Sequence, residues 1–173
     1  TINNTTFIDN GAYTMGGGGL YNGGNFAVTV KNSVFWENAP NQITASAPVN
    51  VTYSTVQDGY TGEGNVTTDP LLGSLADNGG YTLTRSLETG SPAIDSANPE
   101  AANCPATDQR GVTRPRDGDG DGMAVCDMGA FEAPGAPVII SISPTSMRIG
   151  SAGFTLTVNG TDFNDTVKVD WNG

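Results

Sequence analysis

The chain has 173 residues, 24 of them glycine and 10 proline, and only 14% are charged, a composition that opposes long helices and favours turn-rich β structure. Its formal net charge of -11, with no histidine and only two lysines, excludes attraction to nucleic-acid phosphate or anionic lipid and makes cations the natural partners. No apolar run approaches the roughly 20 residues needed to span a bilayer, so no membrane insertion is expected in this segment.

The first elements in the chain are repeats. Ile2 to Asn10 (INNTTFIDN) superposes on Val30 to Asn38 (VKNSVFWEN) without a gap, pairing Ile2 with Val30, Asn4 with Asn32, Phe7 with Phe35 and Asn10 with Asn38. A looser copy, Val51 to Gly59 (VTYSTVQDG), follows at a shorter interval and places Val51 under Val30 and Val56 under Phe35. Short β-prone segments at such intervals, joined by glycine-rich connections, predict stacked coils in which equivalent positions lie about 4.8 Å apart. Phe7 and Phe35 would then stack inside, and Asn4 and Asn32 would exchange amide hydrogen bonds at a turn. Trp36, next to Phe35, would point outward, either to stack on a sugar or to lie under a loop. The run Gly16 to Gly19 falls in the longer insertion; without a following Lys-Ser/Thr and helix it is a loop, not a phosphate cradle.

TINNTTFIDN, GGGGLYNGG and VKNSVFWEN together resemble the repeats of right-handed parallel β-helix proteins of the pectate-lyase-like superfamily, over residues 1–72. Residues 73–132 carry GSPAID (ending at Asp95), DQRGVTRP (from Asp108) and CDMGAFE (Cys126 to Glu132), which resemble the segment that closes many bacterial secreted β-helix proteins. That resemblance implies a terminal cap over the last coil, with Ile94, Val125, Met128 and Phe131 as its apolar plug. It also implies that Asp95, Asp108 and Arg110 hold loops together by hydrogen bonds rather than perform chemistry.

Within this block, RDGDGDGMAVCD (Arg116 to Asp127) has the ligand spacing of a calcium loop. Carboxylates of Asp117, Asp119 and Asp121, the carbonyl of Met123 and a later ligand at Asp127 would hold calcium, with Gly122 supplying the sharp turn. The twelfth position is Met128 rather than Glu and the flanks are not helical, so this is no EF-hand. The alternative is a solvated acidic turn. Cys104 and Cys126, the only cysteines, have a spacing that fits neither a redox CxxC nor a zinc site. A disulfide is their simplest use, contributing about 3 kcal/mol by loop closure and confining the acidic loop.

After an APGAP linker (133–137), residues 138–173 alternate apolar and polar side chains at Phe154, Leu156 and Val158 and again at Val167, Val169 and Trp171. SISPTS and GFTLTVNGTDF resemble the opening strands of an IPT/TIG immunoglobulin-like domain, of which about half is covered. The half sandwich would be completed by more of the same chain or by strands of a neighbouring subunit. Because the sequence starts and stops inside β patterns, it reads as a piece of something longer. Asn-x-Thr sites at Asn4, Asn50, Asn65, Asn159 and Asn164 matter only in a glycosylating host.

The expected fold class is therefore all-β: parallel β-helix coils, a clasped cap, then a partial Ig-like sandwich. No catalytic motif stands out. The expected function is a non-catalytic structural and adhesive protein, extracellular or at the cell surface, with calcium as cofactor and neighbouring subunits or a surface polysaccharide as partners. One rival is a fragment of a carbohydrate-active enzyme, a polysaccharide lyase or glycoside hydrolase, with its active site upstream; separately, Arg110, Arg114 and Arg116 would either neutralise a uronate in a calcium-assisted lyase or simply form ion pairs in the cap. Another is a fibre subunit joined through the incomplete Ig-like module.

Overall fold

The computed structural model describes residues 1–13, 16–150 and 153–163, and the described chain is all-β apart from one short 3-10 turn, Ala101–Asn103. Strands β1 (Ile2–Asn3), β2 (Thr6–Ile8) and β3 (Leu20–Asn22) form a first pass. A second pass consists of β4 (Val28–Lys31), β5 (Val34–Trp36) and β6 (Ile43–Ala45), and β7 (Val49–Thr52) with β8 (Thr55–Val56) begins a third. Their pairing is parallel throughout, in sheets ordered β1-β4-β7, β2-β5-β8 and β3-β6.

The register is the one the repeats predict: Ile2 against Val30 against Val51, and Phe7 against Phe35 against Val56. The Phe7 and Phe35 rings stack with centroids 4.6 Å apart and planes 14° from parallel. Around them Val30, Val49, Val51 and Val56 bury the inner core. Such a stacked pair adds about 0.5–1.5 kcal/mol beyond the burial of its area.

The asparagines have a backbone reason as well as a side-chain one. Asn4, Asn32 and Tyr53 occupy the same turn in successive passes, all with left-handed φ (46°, 51° and 48°), a conformation that Asn tolerates better than most residues. Asn32 Nδ2 donates to Asn4 Oδ1 at 3.3 Å, and Asn10 Nδ2 donates to Asn38 Oδ1 at 2.8 Å. Tyr53, the exception, is held by its hydroxyl donating to Glu63 at 2.9 Å. A hydroxyl ladder runs alongside: Thr5 N donates to Ser33 Oγ, Ser33 N to Ser54 Oγ, and Ser54 N to Asn65 Oδ1.

That last bond belongs to the closure of the final pass. Val56 N donates to Val66 O and Val66 N to Ser54 O, while Asn65 Nδ2 reaches Val51 O and Tyr60 O. Tyr60 packs against the inner core, and a Cβ on Gly62 would lie 1.8 Å from Val51 O, so only glycine lets the chain cross so closely. Residues 60–66 thus seal the end that the sequence assigns to the cap.

The block from 73 to 132 lies elsewhere, along the flank of the stack. It begins with β9 (Leu72–Ala76) and β10 (Thr84–Leu87), an antiparallel pair. Beyond it, Asn4 Nδ2 donates to Asp127 O, Gly129 N donates to Asn32 O, and Thr55 Oγ1 contacts Met128 Sδ, so the segment touches all three passes. Leu87, Ala93, Ala97, Cys126, Met128 and Phe131 build a second core against Val34, with Ile94 packed at its margin; Val125 is not part of it. Strand β5 is therefore covered on both faces, Phe35 inside and Val34 outside, each fully buried. A parallel strand buried on both sides reads as an unbroken apolar run, as Val34-Phe35-Trp36 does.

In the last block, β11 (Val138–Ser143) pairs antiparallel with β12 (Thr157–Thr161). The ladder ends at Ser143 against Thr157, because Pro144 has no N–H to continue it, which leaves Phe154 and Leu156 outside the strand expected to hold them. Val167, Val169, Trp171 and the Asn164 sequon lie outside the described residues.

Candidate metal centre

The acidic loop folds on its own side chains. Gly120 N and Gly122 N donate to the two oxygens of Asp117 at 2.7 and 3.0 Å, Asp121 N donates to Asp119 Oδ1, and Met123 N donates to Asp121 Oδ1. Gly122, at φ +93°, makes the sharp turn expected of it. From the opposite side Asp95 closes the loop, its Oδ2 accepting from Gly118 N and Asp119 N and its Oδ1 from Val125 N.

One oxygen from each of Asp95, Asp117 and Asp119 lies within 4.8 Å of the others, the one group of three potential ligands among the described residues. Cation–oxygen distances of about 2.3–2.6 Å are compatible with that spread. Burial pushes the Asp95 carboxyl up, and the nearby Asp119 carboxylate adds to the rise against the three amides that oppose it. Of the residues expected from spacing, Asp117 and Asp119 converge. Asp121 lies outside the group, at the exposed tip that it shares with Met123.

Asp127 does not join it either. Its side chain is buried, with Oδ1 accepting from Asp95 N at 2.8 Å and Oδ2 from Ala133 N at 2.5 Å. Asp95 takes the place expected of it, and a ligand so far ahead of Asp117 in the chain leaves no trace in local spacing. The only sequence signal at Asp95 was the GSPAID resemblance, which assigns it to holding loops, and it does that too.

Behind the loop lies a buried charge network. Arg114, with its side chain fully enclosed, donates from Nη1 to Asp127 O at 3.0 Å and from Nη2 to Gly129 O at 2.9 Å. Its Nε stands 3.5 Å from Glu132 Oε2 without a hydrogen bond. Glu132, also enclosed, accepts from Arg116 N and Asp127 N. Burial, reinforced by the Glu132 charge, raises the Asp127 carboxyl to about 7 against the pull of the Ala133 and Asp95 amides. Burial likewise raises Glu132 and lowers Arg114, each partly offset by the other's charge.

Asp108 goes the other way. Its burial alone would raise it, but the Glu132 amide, the Arg110 guanidinium and the amides of Val112 and Arg110 together hold it below the usual carboxylate range. Arg110 bridges the parts: it pairs with Asp108 at 2.7 Å, donates to Glu132 O, and lies 3.5 Å over the Phe131 ring. Asp95, Asp108 and Arg110 therefore tie loops together, as expected. With Arg114 enclosed and Arg110 engaged, Arg116 is the partly exposed member of the arginine set, 3.7 Å from Asp162.

Cys104 and Cys126 form a disulfide with Cα atoms 5.9 Å apart. The bridge fixes the residue before Asp127, and Ala97 N donates to Cys126 O at 3.0 Å. No helix among the described residues is long and apolar enough to cross a membrane. Comparison with known protein families, with curated proteins and with solved structures finds no match to this chain.

Proposed function

We propose that the chain is a stretch of a non-catalytic, extracellular or cell-surface protein with structural and adhesive roles: coils of a parallel β-helix, a flank clasped by a disulfide and calcium, and the start of an Ig-like module. The observation that carries this reading is the use made of the enclosed charges. Asp127, Glu132, Arg114 and Asp108 are aimed at backbone groups of the flank itself and tie its loops to one another. Groups arranged in this way hold a scaffold together. The disulfide is compatible with an oxidising compartment.

Calcium belongs to this reading through Asp95, Asp117 and Asp119, with water completing the shell. Lacking the bidentate glutamate of a full calcium loop, the site would bind in the ~0.1–1 mM range, suited to extracellular calcium. Ligand linkage supplies the test. Millimolar calcium should raise the melting temperature of the full chain, and Asp117→Asn or Asp119→Asn should abolish the rise. A melting temperature indifferent to calcium, together with oligosaccharide released from polyuronates, would replace this reading with the enzyme one.

A self-assembling subunit is the second reading, favoured by one observation: Ile139, Ile140 and Ile142 on β11 are 57%, 70% and 42% exposed. Sedimentation that shows a monomer at all concentrations would remove it.

A further inference from the structure

The flank does not cover the whole outer face of the β2-β5-β8 sheet. Its second core sits over the row Thr6, Val34 and Thr55, whereas the next outward row, Ile8 and Trp36 in register, is only half buried. Between that row and the β9–β10 pair runs an open cleft of about 440 Å³. Ile8, Trp36, Leu71 and Leu72 are its apolar lining, and Glu37, Asp69 and Glu88 line it as three acidic residues together with one basic residue, Arg85.

Three of those groups are held in place, Asp69 by accepting from Leu71 N at 2.8 Å. Arg85 Nη1 donates to Gly73 O at 3.1 Å, which leaves its other N–H groups for a ligand, and Ser86 Oγ donates to Glu88 Oε1 at 2.9 Å. An indole face beside carboxylates attracts a cation doubly, through the ring quadrupole and through charge. The same surplus of negative charge, on a chain of net charge -11, repels uronates and sulfated glycans.

We infer that this cleft binds an amine-bearing sugar residue, with its C–H face on Trp36 and Ile8, its ammonium toward Glu37, Asp69 and Glu88, and a hydroxyl on Arg85. A cleft of this size lies within the range of small-molecule sites and exceeds what a slender alkylammonium tail would fill. The assignment is independent of calcium at the acidic loop, since the two sites share no residue.

The test is titration calorimetry of the full chain at low ionic strength with a glucosamine tetrasaccharide. Its N-acetylated counterpart, a galacturonate oligomer and trilysine are the comparisons. Binding of the free-amine oligomer is expected, weakened about tenfold or more by N-acetylation, by Glu88→Gln and by Trp36→Leu, and unchanged in Asp117→Asn. Glu88 is exposed, so its substitution leaves the fold intact and keeps the test decisive if Trp36→Leu unfolds. No heat with the amine oligomer, equal binding of the galacturonate oligomer, or indifference to Glu88→Gln would overturn the inference. Trilysine binding as tightly would overturn the sugar assignment in favour of a basic peptide.

Discussion

The stack and its flank are stabilised by different physics. From Ile2 to Val66 the same few side chains recur at the same places: aliphatics and stacked phenylalanines inside, asparagines at the left-handed turns, hydroxyls along one edge. Each interaction is modest and is repeated by the next pass, so no single one decides the fold. The flank has almost no repetition. It depends on a handful of enclosed charges, each engaged by several backbone groups, plus one disulfide. Periodic structure spreads its stability over many equivalent contacts, whereas irregular structure concentrates it in a few that have no substitute.

The sharpest way to break this contrast is at Arg114. Arg114→Ala leaves Glu132 enclosed without its cation and frees two carbonyls, and should cost about 3–5 kcal/mol in denaturant unfolding. Hydrogen exchange sharpens the comparison: Met128 and Gly129 amides should lose protection while Val34 and Val56 keep theirs. Uniform loss across both regions would show that stack and flank unfold as one unit. Phe35→Ala, within the stack, should cost a comparable or slightly smaller ~3–5 kcal/mol, and here the loss should reach both regions, since β5 carries both cores.

Removing the bridge with Cys104→Ser and Cys126→Ser should cost about 3 kcal/mol, confined to the flank and to the acidic loop next to it. An equally large loss of protection at Val51 would contradict the division.

The most gradual effect is a pH slope. Asp127 has a folded value of about 7 against an ordinary 3.8, so the folded state holds the proton more tightly. Its stabilising contribution is present in full below about 4 and is lost as pH rises through about 7, at no more than about 1.4 kcal/mol per pH unit. Asp108, held low, has the opposite sign: its contribution is present above its ordinary value and is lost as pH falls below it. Stability should therefore fall on both sides of mildly acidic pH. Asp127→Asn should flatten the alkaline limb alone, and an unchanged limb would move the proton to another group.

The same contrast explains what could be read in the sequence. Repetition made the register of Ile2, Val30 and Val51 visible, because a ladder requires like residues at like positions. The Cys104–Cys126 pairing followed from there being no other cysteine. What stayed hidden was non-local and unrepeated: Asp95 meeting Asp117 from a distant part of the chain, Asp127 turning inward, and Asn65 closing the last pass. The placement of the closing segment, residues 73–132, expected over the end of the stack, was not legible for a related reason. Its motifs say that it packs on coils but not on which surface, and Gly129, whose added Cβ would meet Thr6 Oγ1 and Val34, fits it to the side.

The lid formed by Tyr60, Gly62 and Asn65 closes one rim of the stack. Along β8 the outward groups Ser54 N, Ser54 O, Val56 N and Val56 O already have partners within the chain, as does Val51 O on β7, so a strand offered by another molecule along β8 meets a ladder already occupied. The β2-β5-β8 sheet is therefore closed to a further strand beside β8.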